Sequence, residues 1–337
     1  MVSKIIEKFF IGVDVSKKTV DCVLYCEDMN KMKNGNHIKT TNDEDGCQEM
    51  LNWLDALNVS KDAIIVCMEH TGRYSYTFAN CLAAEGIKFC IIPALKIKGA
   101  FAGARGKNDM IDAIRIAQYA YRYRDELEPT ELKSKDIVRL RELMNDRKMA
   151  VRDIAARKNI VKEYKKTPED GRYKRAKDGI DFLTKQLMEI EEDISALIRA
   201  DAALSQNYAL LTSIPGISLV NAVNLIVFTD NFKSFQNARE FAAYCGIAPF
   251  EHSSGTSVNK GTHVSKMGNK MLKADLSMAA QAALWCDAEI AAYYKRKRQE
   301  GKSFGCVLNA VKFKLIMRAF AVMKRGTPYV NTRKFVA

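Results

Sequence analysis

"KFFIGVDVSKKTVDCVLYCED", residues 8–28, decides the fold. A mostly apolar run closing on Asp14 and Val15 meets the polar "SKKT", and a second apolar run, "VDCVLY", follows at once. Two such runs around a short polar turn predict a pair of antiparallel strands. Outward from there, "NHIKTT" predicts a third short strand. "DEDGCQEMLNWLDALN" predicts an amphipathic helix with Met50, Leu51, Trp53, Leu54 and Leu57 on its apolar face. "AIIVCME" is a continuous apolar strand ending in Glu69, a run that suits a strand covered on both faces. A helix around "YSYTFANCLAAEG", a strand "KFCIIP", a basic glycine-containing loop and a helix in "GARGKNDMIDAIRIAQYAYR" (residues 103–122) complete the order β-β-β-α-β-α-β-α. Strands first and alternation after argue for a mixed α/β sheet.

Acids stand at odd places in this frame. Asp14 interrupts the first strand and Glu69 ends a buried one, where a carboxylate loses solvation and must be paired, hydrogen-bonded or bound to metal. Asp109 and Asp112 lie three apart at the start of a helix, about 60° from one another on one face. Each has an ordinary use: a turn-initiating aspartate, a strand-end ion pair of Glu69 with Arg73, a helix cap at Asn108 or Asp109 favoured by the helix dipole. Taken together, four carboxylates from two strands and one helix turn would repel unless a cation neutralised them. Two Mg²⁺ ions about 4 Å apart can clamp the attacking and leaving oxygens of a phosphodiester.

Beyond the α/β region the period changes. Ile137, Leu140, Met144, Val151, Ile154 and Val161 follow steps of three and four, with Arg147 and Lys158 at the interrupted positions. After the polar break "KKTPEDGRYKRAKDG" the steps return through Ile180, Leu183, Leu187, Ile190, Ile194, Leu197 and Leu204, with Asp201 interrupting. This is a heptad seam, expected as an antiparallel helical hairpin and equally able to bind a second protomer. From about Ser205 a third unit begins. "LLTSIPGISLVNAVNLIVF" places a Pro-Gly turn before a small-residue helix, either a helix-hairpin-helix that offers backbone N–H groups to DNA phosphate or a turn in a core. The stretch "HSSGTSVNKGTHVSKMGN" is expected as a loop, followed by basic helices with apolar faces. The expected divisions are 1–126, 127–204 and 205–337.

Charge points to a polyanion. The 337 residues carry 53 Lys and Arg against 40 Asp and Glu, a formal +13, and residues 231–337 hold 18 of the bases but 6 of the acids, +12 of that balance. Such a footprint suits nucleic acid better than an anionic membrane. The run "KRKR" (Lys295, Arg296, Lys297, Arg298) offers charge for backbone phosphate rather than base reading. Tyr293 and Tyr294 beside it can stack on bases or pack in a core. Nine cysteines with no CxxC pair fit free thiols in a reducing cytosol, and four scattered histidines argue against zinc. With neither a signal peptide nor a run of about 18 apolar residues, the chain is expected to be soluble and cytoplasmic, with no membrane association.

The segments "FIGVDVSKKTVDCVL", "VCMEHTGRYSYTFANCL", "IIPALKIKGAFAGARGKNDMIDAIRIA" and, far downstream, "LTSIPGIS" with "FQNAREFAAYCGIAPFEHSSGTSVNKGTHVSKMGNKMLKADL" resemble the IS110-type transposases, including the IS1111 branch and the related Piv-type DNA invertases. The resemblance covers nearly the whole chain. It implies an α/β RuvC-like N-terminal domain of the RNase H fold, a central antiparallel α-helical coiled coil used in dimer and tetramer assembly, and a mainly α C-terminal transposase domain. It implies that Asp14, Glu69, Asp109 and Asp112 are the DEDD ligands of two Mg²⁺ ions, with Mn²⁺ able to substitute. It also implies a C-terminal serine that becomes covalently linked to DNA, and a structured noncoding RNA that pairs with donor and target DNA. Double-stranded DNA at the element junction and target would then be the substrate, in a prokaryotic cytoplasm at the nucleoid.

Among Ser253, Ser254, Ser257 and Ser265, the serine before glycine fits the family pattern, so Ser254 is the expected nucleophile, with Gly255 letting backbone approach phosphate. A serine hydroxyl needs a base or metal to activate it, and metal at the acidic set is a better source than His252. Arg105, Lys107, Lys266 and Lys270 flank the two half-sites and can hold phosphate or remain solvated surface charge. Three readings compete: a transposase or its invertase relative, a metal-dependent junction nuclease in which water attacks, and a non-catalytic nucleic-acid binder.

Overall fold

In a computed structural model, the described residues are 9–25, 36–101, 108–254, 258–265 and 267–331, with the side chains of Arg73 and of 251–261 outside that description. The chain divides into two compact units, Met1–Leu132 and Lys133–Ala337.

The first unit is a mixed α/β domain. Strands β1 (Phe9–Val15), β2 (Thr19–Tyr25), β3 (His37–Thr41), β4 (Ile64–Glu69) and β5 (Phe89–Ile92) form a sheet in the order β3-β2-β1-β4-β5. β1 runs antiparallel to β2 and β2 to β3, while β4 and β5 run parallel to β1. The expected strand and helix order is all present. An additional helix, α3 (Ala94–Ala100), occupies the first part of the segment expected as a basic loop. Side chains alternate across a strand, so each face of the sheet takes every second residue. Ile11, Val13, Val20, Cys22, Val66 and Met68 meet α1 (Glu44–Ala56) and α2 (Arg73–Ala84) in one core. Phe10, Cys67 and Cys90 join Ile97 of α3 and Ile116, Tyr119 and Ala120 of α4 (Asp109–Arg122) on the opposite face.

Cysteine usage departs from expectation. Cys47 of α1 and Cys81 of α2 form a disulfide, 34 residues apart, where free thiols were expected. Composition could not show the pairing, because it arises where two helices on one face of the sheet meet, not from a CxxC spacing.

The second unit is helical. α5 (Lys135–Glu163) and α6 (Gly171–Ala200) form the expected hairpin, and Arg147, an interruption of the seam, bonds Glu191 across it at 2.8 Å. Its proximal end shares one core with the later helices: Ile137, Leu140, Met144, Ile194 and Ile198 pack in the same cluster as α7 (Ala202–Thr212), α8 (Leu219–Phe228), α9 (Ala238–Tyr244), α10 (Lys270–Cys286) and α12 (Phe304–Arg325). The Pro-Gly turn is built for this packing. Gly216 has φ +92°, and a Cβ there would stand 2.7 Å from the Ala279 carbonyl oxygen, so the turn lies directly on α10. The serine-rich stretch is not a simple loop. β6 (Pro249–Ser254) and β7 (Val258–Val264) pair antiparallel, with an irregularity between Glu251 and Ser253. Helix α11 (Ala288–Gln299) carries the basic run. Among the described residues, no helix is long and apolar enough to cross a membrane.

Candidate acidic active site

The acids share one face because of strand alternation. Phe10 faces α4, so Gly12 and Asp14 do as well; on β4, Cys67 and Glu69 follow the same rule. The parallel register pairs Val13 with Met68, which brings Asp14 and Glu69 to adjacent positions on neighbouring strands roughly 4.8 Å apart. Both lie at carboxyl ends of parallel strands, where open α/β sheets bind ligands.

Helix α4 delivers the other two acids. Asn108 caps it, its side-chain oxygen accepting from the Ile111 N–H at 2.7 Å, which leaves the Asp109 and Asp112 carboxylates free of that duty in the first turn. The helix approaches β1 closely because Gly12 lacks a side chain: a Cβ there would lie 2.1 Å from the Ala113 carbonyl oxygen and 2.3 Å from the Ala117 nitrogen. Ala113 is one residue past Asp112. The glycine therefore sets how near the helical pair comes to Asp14.

The grouping has an electrostatic consequence. Asp14 is half-buried, and its pKa is pushed up to about 6, first by burial and then by Asp112, Asp109, Glu69 and Asp21 in that order. All the neighbouring charges it feels are negative. Two cations hold the periphery: Arg115 bonds Asp112 at 3.0 Å, and Lys39 reaches Asp109 at 3.3 Å and Asp21 at 3.0 Å. The Lys39 to Asp109 contact is solvent-exposed, and such ion pairs are easily exchanged.

Asp21 is the acid that the sequence reading passed over. It is 3% exposed, is the register partner of Asp14, and accepts from or shares a proton with His37 at 2.8 Å. The signal was available: an aspartate between Val20 and Cys22 interrupts an apolar strand just as Asp14 does.

The donor set fits a hard divalent cation in kind, since all four expected ligands are carboxylates and Asp14 is disfavoured as an unpaired anion. In the geometry described, no group of three or more His, Cys, Asp or Glu is spaced to hold a metal ion among the described residues. Lys39 and Arg115 stand on two of the carboxylates instead.

The remaining expected residues are spread over the second unit or fall outside the description. Ser254 closes β6, paired in register with Val258; its side chain, like that of His252, lies outside the described residues, as do Arg105, Lys107 and Lys266. Lys270 begins α10 and is exposed. In the basic run, Arg296 and Lys297 bond Glu300, at 3.8 and 2.6 Å, and Arg298 donates to the Lys302 carbonyl, while Lys295 is exposed. Tyr293 packs against the core under Lys314, whose amine lies 4.6 Å from the ring centroid, and Tyr294 meets Phe304 edge-on.

Comparison with known proteins matches two segments of the chain. Residues 11–164 match the DEDD_Tnp_IS110 transposase family, and residues 208–295 match the family described as transposase IS116/IS110/IS902. The pilin gene-inverting protein of Moraxella bovis is 28% identical over 96% of this chain and 98% of its own length, and that of Moraxella lacunata is equally similar. An insertion element IS110 protein of Streptomyces coelicolor is 36% identical over 42% of this chain and 33% of its own length. Thermus thermophilus RuvC, solved with a Holliday junction substrate, covers 36% of this chain and 99% of its own at 10% identity and a TM-score of 0.26. With both matched segments in order, one holding the acids and the other Ser254, the chain is an IS110/IS1111-family transposase-like recombinase, related to the Piv-type DNA invertases.

Proposed function

We propose that this recombinase cuts and rejoins DNA at specific sites by joining its own serine to the cut strand, and that its action is closest to DNA inversion. The observation that carries the inversion reading is alignment with gene-inverting proteins over 96% of the chain. The family descriptions favour a second reading, the transposase of an insertion sequence, for which a noncoding guide RNA pairing with donor and target DNA would be the partner.

In this proposal Asp14, Glu69, Asp109 and Asp112 hold Mg²⁺ or Mn²⁺ in an N-terminal domain of the RuvC type. The metal, when bound, supplies positive charge to the phosphate oxygens and lowers the proton affinity of the attacking hydroxyl. The chain's own residues do the rest. Ser254 Oγ attacks phosphorus, the new Oγ–P bond replaces one P–O bond of the strand, and a free hydroxyl end leaves. Rejoining reverses the exchange with a different hydroxyl end. Were a cation held there, Asp109 would exchange Lys39 for it, while Lys39 would stay paired with Asp21 beside Asp14. Arg105, Lys107, Lys266, Lys270 and Lys295–Arg298 hold phosphates of duplex DNA, and the long helical hairpin brings protomers together as dimers or tetramers.

Plasmids carrying two copies of a candidate site, inverted in one and direct in the other, test the reading in cells that express the chain with or without its flanking noncoding sequence. Inversion of the intervening segment without a requirement for the noncoding sequence is the expected result. Excision or insertion that needs that sequence would instead establish the insertion-sequence reading. A water-dependent junction nuclease would linearise the plasmid and rejoin nothing.

A further inference from the structure

The second unit contains a cavity of about 1070 Å³ between α9, α10, α11, α12 and the base of the β6–β7 hairpin. Its wall carries Arg239, Lys273, Lys312, Lys314 and Arg318, against one acid, Glu289, among the described residues. Glu289 is already engaged by Arg318 at 3.0 Å, and Asp287 takes the other guanidinium nitrogen. Lys273 donates to the Gly246 carbonyl at 2.8 Å, and among the described residues no carboxylate pairs with it.

Lys312 is the unusual member. It sits inside the apolar stripe of α12 between Val311 and Leu315, is 6% exposed, and lines the cavity. Among the described residues no hydrogen-bond acceptor or carboxylate bonds its amine. Burial and the neighbouring Lys273 both lower its proton affinity. Its amine meets solvent through the cavity, and partial desolvation there favours pairing with an anion. The same lining also carries apolar and aromatic surface, Pro249, Phe313 and Tyr293, the last with the Lys314 amine over its ring. Cations and rings in one cavity suit single-stranded nucleic acid, phosphate against amine and base against ring.

We infer that this cavity binds one unpaired nucleotide of a nucleic-acid strand, its phosphate on Lys312 and Lys273 and its base against Phe313 and Pro249. The position gives it a use. Pro249 opens β6 and Ser254 closes it, so the cavity rim and the expected nucleophile are separated along the strand by roughly 17 Å, about five stacked nucleotides. A strand anchored in the cavity is thereby held at a fixed distance from that serine. The inference rests on reading the chain as a strand-processing recombinase, and binding and covalent joining can be measured separately.

The test uses the full chain in EDTA, so that no strand is cut, with fluorescein-labelled dT12, U12 and a 12-bp duplex read by anisotropy. Lys312→Met is expected to weaken the preferred single strand at least ten-fold and the duplex less than two-fold, and to flatten the salt dependence for the single strand by about 0.7. The tighter of dT12 and U12 identifies DNA or RNA as the source of the strand. Lys312→Met is expected to melt no lower than wild type, since a buried charge is removed; should it fail to fold, Lys314→Gln at the rim is expected to weaken the same strand about three-fold. Unchanged single-strand binding in the folded variant, equal losses for strand and duplex, or a shift in sedimentation with no loss of binding would each overturn the inference, the last marking a seat for another protein chain. Lys312-dependent binding in a protein that forms no covalent adduct would leave the cavity assignment standing while removing the serine reading.

Discussion

Asp14→Asn is expected to abolish strand cutting, by roughly 10³-fold or more, and yet to make the metal-free protein melt at a higher temperature at pH 8. The two effects have one origin. Asp14 is held among Asp112, Asp109, Glu69 and Asp21, and its folded pKa of about 6 exceeds the ordinary 3.8. The folded chain thus binds more protons than the unfolded chain between these values, so stability contributed by this group falls as pH rises through that window. Above pH 6 the ionised carboxylate is a burden in the absence of metal, and asparagine removes it. Below about pH 3.8 the wild-type group is neutral in both states, and the advantage of asparagine vanishes. If the acidic set holds Mg²⁺ as proposed, the cation is expected to reverse the comparison, raising the wild-type midpoint by binding the folded state and leaving the asparagine variant nearly unmoved. Thermal melts with EDTA at pH 4, 6 and 8, repeated with Mg²⁺ at pH 8, check each step. An asparagine variant that melts lower at pH 8 without metal, or cuts at the wild-type rate, contradicts the assignment.

Gly12→Ala is expected to cost about 3 kcal/mol, or roughly 10 °C in the midpoint of the first unit, for the addition of one methyl group. The methyl would meet the Ala113 carbonyl oxygen at 2.1 Å, the Ala117 nitrogen at 2.3 Å and the Ala117 Cβ at 2.8 Å. Two of these are backbone atoms in the middle of α4, which no rotamer change can move. The helix must retreat from β1, and Asp109 and Asp112 retreat with it. Loss of Mg²⁺ affinity in the protein that remains folded is therefore expected alongside the lower midpoint. Gly99→Ala is the control: it lies in α3 with nothing within 4 Å of the added methyl, and alanine should be neutral or stabilise by up to about 1 kcal/mol. Equal melting of the two variants would contradict this role for Gly12.

The acidic site was legible because a carboxylate inside an apolar strand is visible in one dimension. Asp14 and Glu69 stood out by that rule, and the three-residue spacing of Asp109 and Asp112 placed them on one helix face. Asp21 obeyed the same rule and went unread, since a single alternating strand also accommodates a polar residue on a solvated face. Gly12 could not be read at all: its meaning is the distance to a helix that begins 97 residues later. The Cys47–Cys81 bond and the cavity around Lys312 were hidden for the same reason, each being assembled from elements far apart in sequence. The hairpin of β6 and β7 was hidden by composition. Serine, threonine and glycine suggested a loop, while the β-branched Val258, Thr262 and Val264 of β7 favour strand.

The central claim is that Ser254 becomes joined to DNA with help from the acidic set. The most direct measurement mixes purified chain, Mg²⁺, its flanking noncoding transcript and labelled site DNA, and then separates the products under denaturing conditions. A protein–DNA adduct that maps by peptide mass to Ser254, and that is absent in Ser254→Ala, in Asp14→Asn and in EDTA, is the result expected. Cut DNA with no adduct, persisting in Ser254→Ala and lost in Asp14→Asn, would show instead that water is the nucleophile at a metal-dependent nuclease.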